Sequence, residues 1–184
     1  MNAKSTRMFL VASLLAASAT SSSVAQAQSE AAAEPRKSQA GFVSQTVAST
    51  TISVKYIRPV ARGRELFGGI VKWDKEWTPS ADSAALLTIT RPILINGAKL
   101  EAGTYSLWAK PGRDKWVMIF SNAQPVFHTP YPGNSSEVMR IEATPRASSH
   151  METLAFYFPT VDGKKAELVL HWGSVVVPFT IEVP

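Results

Sequence analysis

From residue 86 to the last residue, apolar side chains recur at every second position in short runs, and each run stops at a turn signal. Leu168, Leu170 and Trp172 alternate with polar or smaller neighbours, and Val175, Val177, Phe179, Ile181 and Val183 do the same. A period of two places alternate residues on one face of a strand. Asn96-Gly97, Pro111-Gly112, Asp162-Gly163 and Gly173-Ser174 supply the turns, spaced at roughly ten residues, which is the habit of sandwiches and barrels. No segment carries a convincing helical period. The expected fold is all-β: a single antiparallel β-sandwich, jelly-roll-like or Ig-like, with about ten strands and one long irregular loop.

The pattern assigns strands in order. Residues 42–48 and 51–58 come first, with Ile52, Val54 and Tyr56 on one face and Arg58 following them on it. Pro59 has no N–H to give a ladder and ends the second strand. Residues 86–90 form another strand, and 93–100 fold as a tight hairpin around Asn96-Gly97, a pair suited to positive φ. Residues 103–109 and 115–120 form a second hairpin. Its return strand is apolar on both faces (Trp116, Met118 and Phe120 against Val117 and Ile119), so it is central. A proline-rich loop, 122–135, carries Phe127, His128 and Tyr131. Strands then follow at 137–143, 153–158, 166–172 and 175–183. Gly173-Ser174 reads as a turn, and Pro178 reads as the mark of an edge strand. His171 falls on the face opposite Leu170 and Trp172 and is expected to be exposed.

The first residues read as a targeting segment. Lys4 and Arg7 precede the apolar run 8–19, which is too short to span a bilayer, and Ala25-Gln26-Ala27 fits a cleavage site. Residues 1–27 are therefore expected to be a signal peptide, 28–40 a flexible leader, and 41–184 the β-sandwich domain. The expectation is export to the periplasm or beyond, with no integral membrane segment in the mature chain. The formal charge of +5 drops to about +3 once Lys4 and Arg7 are removed, and no basic run is long enough for a nucleic-acid footprint. There is no cysteine, so core burial and not disulfide bonding must hold the fold.

The functional expectation centres on residues 58–82. A loop of about this length inside a compact domain is usually functional or disordered, and Phe67, Trp73 and Trp77 argue for order. Arg58, Arg62 and Arg64 lie close together. An inward arginine needs a partner, and Asp74, Glu76 or Asp82 would supply it for Arg58. A guanidinium fork also suits a carboxylate, phosphate or sugar hydroxyl. Trp73 and Trp77 either pack over one end of the sandwich or offer a stacking platform for a sugar ring. The candidate ligand-binding residues are Tyr56, Arg58, Arg64, Trp73, Trp77 and Asp82. No catalytic residue is assigned, although Asp74, Glu76 and Asp82 are the one dense acidic cluster and paired carboxylates can hydrolyse glycosides. His128, His150 and His171 make no HxH or HExxH arrangement, so no metal and no cofactor are expected. His128 could line a pocket beside Phe127 and Tyr131, although a lone loop histidine is more often a surface residue. Gly68-Gly69 reads as a tight turn.

Several of these residues also carry a resemblance. Tyr56-Ile57-Arg58-Pro59, Gly63-Arg64, Leu66-Phe67-Gly68-Gly69, the Gly-Thr-Tyr-Ser-Leu segment at 103–107 and the Trp-x-x-Ile-Phe strand at 116–120 stand in one order. With the two closing strands, they make the chain similar over about 43–183 to a bacterial envelope family known as domain of unknown function 2911. The resemblance implies an exported all-β domain and implies no reaction. It also marks a departure. Members follow the second tryptophan with Arg-x-Gly-Ala-Asn-x-Ala-Thr, whereas here Thr78 and Asp82 take the places of the arginine and the asparagine. Residues and resemblance together favour a non-enzymatic exported module binding a small polar ligand, a glycan or an envelope partner. The alternatives are an envelope hydrolase working through the acidic cluster and a purely structural envelope domain. The sequence sets no oligomeric state.

Overall fold

The computed structural model describes residues 36–184. The expected signal peptide, and the expected leader up to residue 35, lie outside the described residues. Ten strands follow in order: β1 Gln39–Val47, β2 Thr50–Arg58, β3 Ala85–Ile89, β4 Ile93–Ile95, β5 Ala98–Leu100, β6 Gly103–Pro111, β7 Trp116–Ser121, β8 Glu137–Ala143, β9 Arg146–Asp162 and β10 Lys165–Glu182. One sheet has the order β1-β2-β3-β6-β7-β8 and the other β5-β4-β10-β9. Every pairing is antiparallel. Among the described residues the one helical element is a 3-10 turn, Asn134–Ser136. The protein is a two-layer β-sandwich.

The alternation explains the layers. Ile52, Val54, Leu87, Leu107, Trp116, Met118 and Phe120 are buried on the inner face of the six-stranded sheet, and Leu154, Phe156, Leu168, Leu170, Trp172, Phe179 and Ile181 are buried on the facing side. Each such side chain stabilises the fold by roughly 1.5–3 kcal/mol when fully buried. β7 is interior and apolar on both sides. Its outer face puts Ile119 against Trp108 and Ala84, and Val126 and Tyr131 of the proline-rich loop close over them.

Three expectations need correction. The turn at Gly173-Ser174 is absent: β10 runs straight through it, with register shifts on both sides of Gly173. Gly173 has a φ of +57°, and a Cβ there would stand 2.7 Å from Leu66 Cδ1. The glycine therefore serves a bulge and a close approach. β10 is also interior, so Pro178 does not mark an edge strand. Pairing with β9 stops at Val176 and pairing with β4 starts at Ile181, so the proline sits where no ladder bond is lost. Finally, His171 is buried, at 4% exposure. Its Nε2 lies 3.0 Å from the Ser149 carbonyl and its Nδ1 lies 3.3 Å from the Tyr157 hydroxyl. Both contacts come from β9, whose pairing with β10 is bulged on the Gly173 side of His171.

The β4–β5 turn does more than reverse the chain. Asn96, at φ +47°, donates from Nδ2 to the Glu142 carbonyl of β8 at 2.8 Å. Its Oδ1 accepts from Thr180 N–H of β10 at 2.8 Å. One side chain thereby ties the two sheets together. Asn96→Gly keeps the positive φ and removes both bonds. A loss of about 1–2 kcal/mol, read as a fall in Tm of roughly 2–8 °C by thermal denaturation, is expected.

Candidate functional site

Residues 59–84 connect β2 to β3. Pro59 stops the β2 ladder, and the chain crosses to the other layer. There Leu154 N–H donates to the Pro59 carbonyl at 2.9 Å, and Ala61 N–H donates to the Glu152 carbonyl at 2.8 Å. Isolated pairings then fix the loop at Val60 with Thr153, Trp77 with Ala109, and Ser83 with Phe127. Gly68-Gly69 forms the tight turn the sequence indicates. A Cβ on Gly69 would stand 2.1 Å from the Glu65 carbonyl oxygen, and one on Gly68 would stand 2.6 Å from Trp73 Nε1.

That turn drives Phe67 into the end of the sandwich. Its ring centroid lies 4.9 Å from Trp116 of β7, 6.2 Å from Trp172 of β10 and 6.3 Å from Trp77, each edge to face. Trp77 and Trp172 lie parallel within 10°, with centroids 5.9 Å apart. Aromatic pairs of this kind add about 0.5–1.5 kcal/mol beyond area burial. The segment after Trp77 is held by hydroxyls. Thr78 Oγ1 donates to the Leu107 carbonyl at 2.7 Å and accepts from Ala85 N–H at 3.1 Å. Ser80 Oγ accepts from Ile57 N–H at 2.9 Å. Thr78, one of the two departures from the family pattern, is thus a buried pin between β3 and β6.

The six candidate residues separate into two groups. Tyr56 is a core residue: its ring meets Phe156 edge to face at 5.0 Å, and its hydroxyl oxygen accepts from Phe156 N–H. Arg58 makes no ion pair among the described residues, contrary to the pairing expected with Asp74, Glu76 or Asp82. Its Nε donates to the Leu154 carbonyl at 2.9 Å, and its stem fills the space left by Gly41, where a Cβ would stand 2.8 Å away. A backbone carbonyl and a missing side chain on β1 satisfy it without a carboxylate. Trp73 is half-buried, 6.2 Å from Phe67, with the Arg113 guanidinium 5.4 Å over its ring. Arg64, Trp77 and Asp82 come together on the wall of one cleft of about 240 Å³, where Ile70, His128 and Trp172 join them.

The cleft has a defined chemistry. Trp77 supplies an aromatic floor backed by Trp172. Arg64 is fixed by its own turn, with Nε 2.9 Å from the Ala61 carbonyl and Nη2 2.6 Å from the Val60 carbonyl. Its Nη1 makes no hydrogen bond among the described residues. Asp82, at φ +61°, keeps an exposed carboxylate with Arg36 at 3.7 Å. Its carbonyl accepts from His128 N–H at 3.0 Å, and His128 Nδ1 lies 3.1 Å from the same oxygen. A carbonyl only accepts, so Nδ1 carries its hydrogen toward Asp82 and Nε2 is the ring nitrogen left for a ligand. The cleft therefore presents a guanidinium, a carboxylate and an imidazole nitrogen around an aromatic floor. A groove of about 390 Å³ over β4, β9 and β10 is larger. It has no aromatic lining residue, and Lys165 there lies 3.8 Å from the Glu182 carboxylate.

His128 and Trp172 belong to this cleft but not to the sequence-derived set. His128 arrives through the proline-rich loop, which a polar clasp holds. Tyr131 donates its hydroxyl to Glu137, Arg140 Nε donates to the same carboxylate at 2.6 Å, and the Tyr131 ring packs edge to face on Trp108 at 5.1 Å. The Arg140 hydrogen bond, with that from Tyr131, holds the Glu137 carboxyl below its ordinary value. Burial, with Glu137 beside it, pushes the Tyr131 phenol up. Among the described residues no group of three histidine, aspartate or glutamate side chains is placed to hold a metal.

A family model described as "Protein of unknown function (DUF2911)" matches residues 38–181. No curated protein and no solved structure matches the chain.

A carboxyl whose folded pKa is depressed contributes stability above its unfolded pKa and loses it as pH falls through the folded value. Glu137→Gln is therefore expected to lower Tm by roughly 2–4 °C at pH 7, for a loss of about 1 kcal/mol. The gap from wild type should shrink in melts taken at successively lower pH, once Glu137 protonates.

Proposed function

Because the chain belongs to the family described as Protein of unknown function (DUF2911), whose description names no activity, we propose its function from the cleft. The protein is an exported binding module that takes a small polar ligand, a glycan ring above all, between Arg64, Trp77, Asp82 and His128. One observation carries this reading. Residues far apart in the chain converge on an aromatic floor with donors and acceptors fixed around it. A sugar ring lays its apolar C–H face on an indole and offers hydroxyls that both donate and accept, which matches a guanidinium, a carboxylate and an imidazole nitrogen. Arg64 is held by backbone carbonyls before any ligand arrives, so little side-chain freedom is lost on binding.

A hydrolase has less support. Glycoside hydrolysis usually needs two carboxylates facing each other across the bond, and Asp82 is the one carboxylate on the wall of this cleft. A structural role has a specific observation in its favour: Phe67, Thr78 and Ser80 spend their contacts on closing the sandwich. The two roles occupy different residues of the same loop and separate by mutation.

Thermal-shift and calorimetric titration with oligosaccharides of N-acetylhexosamine and of neutral hexose test the reading, since a specific ligand raises Tm by mass action. Asp82→Asn and His128→Ala are expected to weaken binding about tenfold, roughly 1.4 kcal/mol, while the unliganded Tm moves by no more than about 2 °C. Saturable binding that is indifferent to both substitutions, or no binding by any of the saccharides, would contradict it. Trp73→Ala should do the reverse, lowering Tm by roughly 3–10 °C through lost packing with ligand affinity retained.

A further inference from the structure

Four strands stand at the margins of the two sheets: β1 and β8 in one, β5 and β9 in the other. Exposed strand edges invite pairing with other chains, and proteins blunt them with charge, proline, bulges or brevity. Three of these margins are blunted. β8 carries Glu137, Arg140 and Glu142, β5 has three residues with Lys99 among them, and β9 carries Pro159, several charges and repeated register shifts. The crossing segment at Pro59 and Ala61 also bonds to β9 at Glu152 and Leu154.

β1 has none of these devices. Its sequence, Gln-Ala-Gly-Phe-Val-Ser-Gln-Thr-Val, holds no charged residue and no proline. It pairs with β2 at every position from Gln39 with Arg58 to Val47 with Thr50, without a shift. Its backbone makes no ladder on the other side among the described residues. Phe42 projects from it at 69% exposure, the most exposed of the large apolar side chains described, and Ser44 and Thr46 beside it are also exposed.

We propose that β1 is a strand-addition edge and that its occupant is the β1 of a second copy of this chain. An antiparallel pair of identical strands is self-complementary about a two-fold axis, the commonest symmetry of homo-oligomers. The strand is uncharged, so no like charges meet when its copy lies alongside. Pairing satisfies the free edge of both strands and gives Phe42 an apolar neighbour across the axis. The result is one six-stranded sheet running on into the next. Ser38 of the cleft lining stands beside β1, but the proposed pairing does not use it, so this inference does not rest on ligand binding.

Sedimentation equilibrium of the purified protein and hydrogen exchange of the β1 amides test it. The wild-type chain should sediment at twice its single-chain mass, with β1 amides protected as the dimer forms and exchanging faster on dilution. The double substitution Phe42→Glu, Ser44→Glu is at exposed positions, and Glu at 42 faces Lys55 across the β2 ladder. It should still melt cooperatively but without the concentration dependence of the wild-type Tm, sediment at single-chain mass and lose β1 protection while β3 and β6 remain unchanged. A wild-type protein that stays a single chain at every concentration overturns the proposal, whether its β1 edge is open or is shielded by the chain itself. So does a double variant that still dimerises. The wild-type result decides the matter even if the variant fails to fold.

Discussion

The insertion of Phe67 among Trp77, Trp116 and Trp172 is the contact on which the working end of this molecule depends. Phe67 belongs to an irregular loop, Trp77 to the same loop further on, and the other two tryptophans to opposite sheets. A single ring therefore joins both layers and the segment crossing them. Without it, Trp77 would lose an edge-to-face partner, and the loop would be left to the Thr78 and Ser80 hydroxyls and isolated backbone pairings. With it, Trp77 lies flat against Trp172 and forms the floor of a cleft.

The rest of the loop divides its labour along the chain. Polar side chains that look available for a ligand are in several cases consumed by the fold. Arg58 caps a β9 carbonyl, Thr78 bonds β3 and β6, and Ser80 bonds β2. Of the charged and imidazole side chains, Arg64, Asp82 and the ring of His128 are the ones that line the cleft. The substitution of Thr78 for the family's arginine replaces a long cation with a short hydroxyl that is fully buried. Asp82, where the family has asparagine, keeps the left-handed backbone that both residues tolerate and adds a negative charge to the cleft wall. The two departures thus act on different things, one on packing and one on the surface a ligand would meet.

Much of the architecture was legible because period-two alternation is a local signal. The strands from Leu86 to Phe120 and the Asn96-Gly97 hairpin follow directly from it. The failures came where a residue answered to a distant partner. Glycine favours turns, so the local pattern signals one at Gly173, yet what Gly173 accommodates is Leu66, far earlier in the chain. Pro178 signals an edge by its missing N–H, but the gap between two ladders that tolerates it depends on strand order. His171 sits at an outward position by parity, but contacts from β9 cover it. Arg58 was expected to need a carboxylate, and the space opened by Gly41 with the carbonyl of Leu154 met the need instead. The cleft was half legible. Composition pointed to the loop, but no pattern joins position 82 to position 128, and that contact runs through a backbone carbonyl.

The handover within β10 has a consequence for assembly. This strand serves β9 along its first two-thirds and β4 with its final residues. The hairpin of β4 and β5 is synthesised long before the residues that anchor it, and its ladder to the layer consists of Ile95 and Leu94 opposite Ile181 and Glu182. β9 and β10 pair as a local hairpin, so the smaller layer is completed by adding the β10 edge of that hairpin to β4, and this long-range join rests on two residue pairs and the Asn96–Thr180 hydrogen bonds beside them.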